Sequence, residues 1–406
     1  MQKLPLEGIR VIDFSQVRMG PQITQWLGVM GAEVIKIETR AVGGPPRIWT
    51  IPEGEEPRLP PQAIYFADLN YSKKGITLNM KEPRAVELIK ELSKISDIVV
   101  ENFGGPVMDR WGIGYADLKK LKPDIICYSG SGFGRTGPFR EHPVYAPVAE
   151  AYSGSSFTNG YIGGEPVSVG IGGWTDSVAG QQGLFSILIA LYYRSKTGEG
   201  QYIDLSMTEA RIASAPEPVL DYVINGRVRG RMGNRDDFMA PHGCYRCSGD
   251  DKWVAIAVSN DEEWVAFCNA IGNPEWTKRE EFSDTPGRWE NQDELDRRIS
   301  EWTISHDHYE VMQILQAAGV MAGATLDLGE VANDPHLRER GILVDMEHPK
   351  MGKATLASLP WKLSDIPKGN YQFPPLLGEH NDYVFGELLG LSKEEIKRLE
   401  EEKVIY

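Results

Sequence analysis

The feature that most constrains the fold of this chain is a short rhythm at its amino end. "IRVIDF" (9–14) is a continuous apolar run suited to a strand buried on both faces. "PQITQWLGVMG" (21–31) places Pro21 in a first helical turn and stops at Gly31, and "EVIKIE" (33–38) is a second strand. Strand, helix and strand make a βαβ unit. The same rhythm recurs in "AVELIKELSKIS" followed by "DIVVENF", and in "YADLKKLKPD" followed by "IICYSGSGFG". Alternation sustained in this way predicts an α/β fold, a doubly wound, Rossmann-like parallel sheet. Ligands of such sheets bind where strands end, which here means near Ser15–Gly20, Asn102–Gly105 and Ser129–Gly137.

Further along, "LFSILIALYY" (184–193) reads as a buried helix and is about half as long as a bilayer crossing requires. The start "MQKLPLEGIRVIDF" lacks the cationic-then-apolar layout of a secretory signal, so a cytoplasmic protein is expected. "GRVRGRMGNRDDFMAPHG" (226–243) is rich in Gly and Arg and has no periodicity, as expected of a long connection at a domain boundary. Beyond it "CYRCSGDDKWVAIAV" (244–258) predicts a hairpin turning at Gly249–Asp250, and three helical segments follow. Near the carboxyl end, Ser392 and Glu395 have capping-box spacing, with Ile396 and Leu399 on one helix face.

The charge balance of 43 basic against 58 acidic residues, net −15, argues against nucleic acid or an anionic membrane as partner. Any anionic ligand must be held by a few chosen Lys and Arg side chains. Four cysteines are too few for a disulfide framework in 406 residues. Cys244 and Cys247 form a lone CxxC with no second pair to complete a zinc site, and read as two ordinary cysteines on adjacent strand positions.

"GFGRTG" (132–137) has the GxGxxG spacing, but Pro138, Pro143 and Pro147 break the helix that a dinucleotide fingerprint must run into. A turn-rich ligand loop is the better reading. The chain has no GxSxG elbow, HExxH pair or phosphate loop. His306 and His308 lie in an acidic helical stretch, and His242 in "APHGCY" reads as structural. The remaining feature is Asp176 in "GGWTDSVAGQQG" (172–183), one carboxylate at the start of the apolar helix. It reads most simply as a helix N-cap. The alternative is a nucleophile: Gly172, Gly173 and Gly180 would let a substrate carbonyl approach, and the helix N-terminus would keep the carboxylate ionised.

Five segments bear on that choice: "LEGIRVIDFSQVRMGPQITQWLGVMGAEVIKIE", "NYSKKGITLNMK", "IVVENFGGPVMDRWGIGY", "SGFGRTGP" and "TDSVAGQQGLFSILIALYYRSKTGEGQYIDLSM". Together with the ending "GEHNDYVFGELLGLSKEEIKRLEEEKVI" they resemble the class III CoA-transferase family, in order and over nearly the whole chain. The resemblance implies an enzyme that moves CoA between an acyl-CoA and a free carboxylic acid through a catalytic aspartate, here Asp176, by way of an aspartyl mixed anhydride and an aspartyl-CoA thioester. It implies no permanently bound cofactor, CoA entering as a substrate thioester. It places CoA against Gln16, Val17, Arg18 and Met19, with Arg40, Lys73, Lys74, Asn102, Phe103 and Arg110. Racemases of the same family carry a His–Asp pair where this chain has Tyr145 and Ala146, which favours transfer over racemisation because two-base exchange needs a titrating group on each face of the α-carbon. A non-catalytic subunit of a heteromeric transferase is a further alternative. The glycine-rich lid of formyl-CoA transferase has no counterpart in "DDFMAPHGCY", so an aromatic or dicarboxylic acid is expected rather than oxalate, in a pocket walled by Tyr145, Trp174 and Met239.

The resemblance also implies a large CoA-binding domain over 1–205, completed by 375–406. A linker at 206–224, a small α+β domain over 225–330 and a returning linker at 331–374 make up the rest. Two chains are expected to interlock as a dimer, of identical subunits or with a homologous partner.

Overall fold

The computed structural model describes residues 3–38, 61–168, 173–348, 352–366 and 368–406. By their internal packing the residues form two units, one of 1–156, 168–228 and 342–406, the other of 157–167 and 229–341.

The first unit runs β1 (Arg10–Asp13), α1 (Met19–Val29), β2 (Glu33–Glu38), α2 (Pro61–Asn70), β3 (Lys74–Thr77), α3 (Pro83–Lys94) and β4 (Ile98–Glu101). It continues with α4 (Val107–Arg110), α5 (Tyr115–Leu121), β5 (Ile126–Ser131), α6 (Ala146–Tyr152), α7 (Ser155–Thr158), α8 (Trp174–Thr197), β6 (Tyr202–Ser206), α9 (Met207–Ser214) and α10 (Glu217–Asn225). The six strands pair in parallel in the order β3-β2-β1-β4-β5-β6. The order reverses between β1 and β4, so the carboxyl ends of these neighbours form the switch-point crevice where such folds bind ligands.

Alternation along each strand sends side chains to two buried faces. Val11, Val34, Ile98 and Ile126 pack with Ile23 and Leu27 of α1 and with Leu184 and Ile187 of α8. Ile12, Ile35, Val99 and Cys127 face the other way, with Leu88 and Leu92 of α3 and Ile396 near the carboxyl end. Burial of α8 is only partial, contrary to the reading of its apolar run. Gly180 and Gly183 face α1 and β5 so closely that a Cβ would meet Gln22 Oε1 at 3.0 Å and Ile23 Cδ1 at 2.6 Å. Phe185, Ile189 and Tyr192 project from the opposite side and are 66%, 50% and 66% exposed in the single chain.

In the second unit β7 (His242–Arg246), β8 (Trp253–Ala257) and β9 (Met321–Thr325) form an antiparallel sheet. The helices are α11 (Asp261–Ala270), α12 (Thr285–Glu290), α13 (Gln292–Thr303), α14 (His308–Ala317), α15 (Leu328–Asn333) and α16 (Pro335–Arg340). The β7–β8 hairpin turns through Gly249 and Asp251, both at positive φ. Cys244 and Cys247 are free thiols. His308 is buried, 2% exposed, rather than on an acidic surface, because α14 begins with it packed beside Glu330.

Chain 342–406 returns to the first unit with an antiparallel pair, β10 (Leu343–His348) and β11 (Gly352–Ala357), and ends in α17 (Lys393–Glu401). Ser392 and Glu395 form the capping box at the start of α17, and Ile396 and Leu399 are buried. Residues 206–224 hold α9 and most of α10 within the first unit, and 331–374 carry α16 and the β10–β11 pair.

Candidate active site

The site grows from the loop that leaves β1. Asp13, the last residue of that strand, is fully buried and accepts hydrogen bonds from the Ser15 backbone N–H (2.8 Å), the Ser15 hydroxyl and Thr24 Oγ1 (2.7 Å). Lys73 Nζ reaches Asp13 Oδ2 at 3.0 Å, the Pro21 carbonyl at 3.0 Å and Asn70 Oδ1 at 2.9 Å. Lys36 Nζ lies 3.6 Å from Asp13 Oδ1 and donates to the Ser15 carbonyl. Burial pushes the Asp13 carboxyl upward, but Lys36, Lys73 and the two hydroxyls together bring it down to about 2. Burial pulls the Lys73 ammonium down to about 7, opposed by Asp13. The ionised pair is the reading the geometry supports, because all three Lys73 donors end on acceptors.

On this base the loop makes a strained bend. Val17 has φ 62°, a left-handed conformation that a β-branched residue adopts only when surroundings impose it. The imposing groups sit across the switch point. Asn102, directly after β4, accepts from the Gln16 N–H through Oδ1 and donates through Nδ2 to the Gln16 carbonyl, both at 2.7 Å. Gly20 completes the bend, since a Cβ there would meet Ser15 Cβ at 2.2 Å.

The loop presents Arg18 and the Met19 N–H to the start of α8. Gly173, at φ 79°, is the N-cap of that helix and Asp176 is its third residue, so Asp176 is not the cap. The Met19 backbone N–H and Arg18 lie beside its carboxylate, and both favour the ionised form. Arg18 Nε donates to Ser177 Oγ at 3.1 Å, and its guanidinium carbon lies 6.0 Å from the Tyr65 ring centre. Gly173 leaves the carboxylate open: a Cβ there would lie 2.8 Å from Asp176 Oδ2 and 3.3 Å from Arg18 Cδ. Burial pushes the carboxyl up to about 6, Glu150 adds to the rise, and the Met19 N–H and Arg18 oppose it.

The other residues read from the sequence divide. Gln16, Val17, Arg18, Met19 and Asn102 converge on this bend, although the Met19 side chain is core, packed with Ala146, Ala149 and Ala179. Phe103 continues from Asn102 and packs edge-on against Trp111 at 5.6 Å. Arg110, at the end of α4, is exposed. Lys73 is spent inside the protein rather than facing a ligand. Lys74 points toward the amino ends of the strands, 4.7 Å from the Tyr383 ring, whose hydroxyl donates to Glu33 at 2.6 Å. Lys73 precedes β3 and Lys74 opens it, and their side chains diverge, one to Asp13 and the other to Tyr383. Arg40 lies outside the described residues. Tyr145, the N-cap of α6, and Trp174, the first residue of α8, are 70% and 55% exposed. Met239 belongs to the second unit, where its N–H bonds Asp236 Oδ1 at 3.1 Å.

Sequence reasoning missed Tyr65 and Glu150, and named the loop that carries Arg135 without singling that residue out. Arg135, inside "GFGRTG", donates to Ser129 Oγ (2.5 Å), the Gly105 carbonyl (2.7 Å), Glu101 Oε1 (2.7 Å) and the Phe103 carbonyl (2.9 Å). The motif thus buttresses the segment carrying Asn102 and Phe103. Arg135 also lines a cavity of about 280 Å³ with Glu101, Met108, Tyr115 and Tyr202, and Gly105 and Ser129 of the strand ends named from the sequence line it too.

Comparison with known proteins gives a consistent result. The chain matches CoA-transferase family III over residues 6–381. A formyl-CoA:oxalate CoA-transferase of Rhodopseudomonas palustris (strain BisA53) is 34% identical, covering 97% of this chain and 96% of that one. A succinyl-CoA–D-citramalate CoA-transferase of Chloroflexus aurantiacus is 31% identical over 99% and 98% of the two chains. The beta subunit of the succinyl-CoA–L-malate CoA-transferase of the same organism is 32% identical over 99% and 98%. Among solved structures, a CAIB/BAIF family protein from Brucella suis superposes with a TM-score of 0.84 at 29% identity, covering 95% of this chain and all of that one. With the match extending over both units and along the loop and helix that carry Asp176, the chain belongs to CoA-transferase family III.

Proposed function

We propose that this class III CoA-transferase works through Asp176 as a covalent nucleophile, with a small dicarboxylic acid as acceptor. The observation that carries the reading is the Asp176 carboxylate in the first turn of α8, faced by the Met19 N–H and Arg18, with Gly173 placing no side chain over it. A carboxyl with a pKa of about 6 is ionised about ten to one at pH 7, yet more basic than an ordinary aspartate. It is therefore both available and a better nucleophile.

The carboxylate oxygen attacks the thioester carbonyl, and the tetrahedral adduct expels CoA thiolate to leave an acyl–aspartyl anhydride. The thiolate then attacks the aspartyl carbonyl and displaces the donor acid, giving an aspartyl-CoA thioester. The acceptor carboxylate attacks that thioester and releases the thiolate. Attack of the thiolate on the acceptor carbonyl forms the new acyl-CoA and restores Asp176. Negative charge on each tetrahedral oxygen is met by Arg18 and by backbone N–H groups of the first helical turn.

CoA is held along the switch-point crevice by the Gln16–Met19 bend, Asn102, Phe103 and Arg110. Lys73 acts from beneath as support for that bend. The dicarboxylic acceptor is supported by the names of the relatives, which act on oxalate, citramalate and malate. Arg18 is the cation that would take the carboxylate not engaged in transfer, with Tyr145 and Trp174 as walls. An assembly of two chains is supported by the uncovered apolar side of α8 with Leu220, Val223 and Ile224 of α10, 55%, 72% and 69% exposed. The partner is a second copy or a homologous subunit, as the printed name of one relative indicates for that protein.

The test is a transfer assay with succinyl-CoA as donor against a panel of dicarboxylic, aromatic and short aliphatic acids. Appearance of the acceptor's CoA thioester with wild type and none with Asp176→Ala is expected. Transfer by a folded Asp176→Ala protein overturns the mechanism, and transfer confined to aromatic acids overturns the acceptor class.

A further inference from the structure

Glu150, on α6, is 1% exposed, a depth at which carboxylates are held only by specific partners. Its Oε1 accepts a hydrogen bond from Thr175 Oγ1 at 3.3 Å, and its Oε2 accepts one from Ser168 Oγ. Thr175 is fully buried and directly precedes Asp176. Ser168 stands on the other side of residues 169–172, which lead into α8. One buried carboxylate thus ties both flanks of the segment that delivers Asp176. Acyl transfer itself makes no use of it. A neutral amide at this position would cost less to bury than an ion. A charge kept at that depth, beside a reactive carboxylate, acts through its field as well as through its hydrogen bonds.

We propose that Glu150 is a positioning residue for Asp176: its hydrogen bonds fix the first turn of α8, and its negative charge offsets that of Arg18 beside the attacking carboxylate. The inference rests on Asp176 being the nucleophile. Among the described residues, the charged or titratable groups that face Asp176 are Arg18 ahead of α1, Tyr65 on α2 and Glu150 on α6. Arg18 favours the anion, Glu150 disfavours it, and the Tyr65 hydroxyl is neutral near pH 7 because burial pushes it above its ordinary value. Removing the Glu150 charge therefore lowers the pH at which Asp176 ionises and weakens it as a nucleophile.

Glu150→Gln keeps an acceptor for Thr175 and loses the charge, whereas Glu150→Asp keeps the charge on a shorter arm. For Glu150→Gln the acid limb of kcat/KM against pH moves down by about half a unit to one unit, and kcat at pH 7.5 falls about 3- to 10-fold, with KM for acyl-CoA within about twofold. Glu150→Asp keeps the limb where wild type has it. An unmoved limb in Glu150→Gln, or a loss confined to KM, overturns the proposal. Thermal melting of both variants separates these outcomes from a folding defect, and the near-isosteric Gln variant suffices if Asp is not tolerated. Asp176→Asn is the control: if it stays active, the nucleophile reading fails whatever Glu150 does. If it is inactive and the limb of Glu150→Gln does not move, the role of Glu150 alone fails.

Discussion

Two aspartates stand on either side of one tight loop, and burial acts on both in the same direction. Asp13, below the loop, is brought down to about 2 by two lysines and two hydroxyls that overcome its burial. Asp176, above it, is pushed up to about 6 because burial is opposed only by one backbone N–H and Arg18, while Glu150 adds to the rise. Depth alone does not distinguish a structural carboxylate from a reactive one; the number and sign of its partners do. The first is saturated and holds the loop, and the second is left short of partners and open on one side.

The comparison can be broken at several points. The largest effect is expected from Asp176→Ala, which should lower kcat/KM for transfer by at least about 10³-fold with no loss of melting temperature, as judged by assay and circular dichroism. Asp13→Asn should act on the fold instead. Leaving Lys73 and Lys36 buried beside a neutral amide costs about 3–5 kcal/mol in denaturant titration. Because Asp13 lies below its ordinary value of 3.8 in the folded chain, its contribution is complete above that pH and is lost as pH falls toward 2. The stability gap between wild type and Asp13→Asn should therefore close in acid.

Gly173→Ala sharpens the contrast, since it adds a methyl group over Asp176 at a left-handed position. A stability cost of about 1 kcal/mol and a fall of about 10-fold in kcat/KM are expected from melting and initial-rate measurements. The smallest effect has the opposite sign. With its carboxyl raised above 3.8, Asp176 in the folded chain resists ionisation, so it weakens the fold as pH rises through about 6. Asp176→Asn should then be more stable than wild type at pH 8 by about 1–2 kcal/mol, after discounting for partial exposure, with the gain gone at pH 4.

Much of the frame behind this contrast is legible in sequence. Continuous apolar runs such as "IRVIDF" and "IVVE" mark strands buried on both faces, and capping at Ser392 is local chemistry that a few residues determine. The site is less legible, because it depends on direction and depth. Lys73 looks like a solvated turn residue until Asp13, sixty positions away, is found beneath it. Glu150 has no motif at all, since a carboxylate within "VAEAY" signals nothing until Thr175 and Ser168 are folded against it. The apolar run of α8 reads as buried all round, yet Phe185, Ile189 and Tyr192 stand exposed on the side away from α1. Gly180, read as access for substrate, serves with Gly183 the close packing of α8 on α1, and Gly173 alone of the described glycines stands over the carboxylate.

The most direct measurement of the central claim is intact-mass analysis of the protein mixed with acyl-CoA and no acceptor, followed by peptide mapping. The account predicts a covalent CoA adduct on the peptide that carries Asp176, discharged by added dicarboxylic acid and absent from Asp176→Ala. An adduct on another residue, or transfer at full rate with no adduct on any peptide, would contradict it.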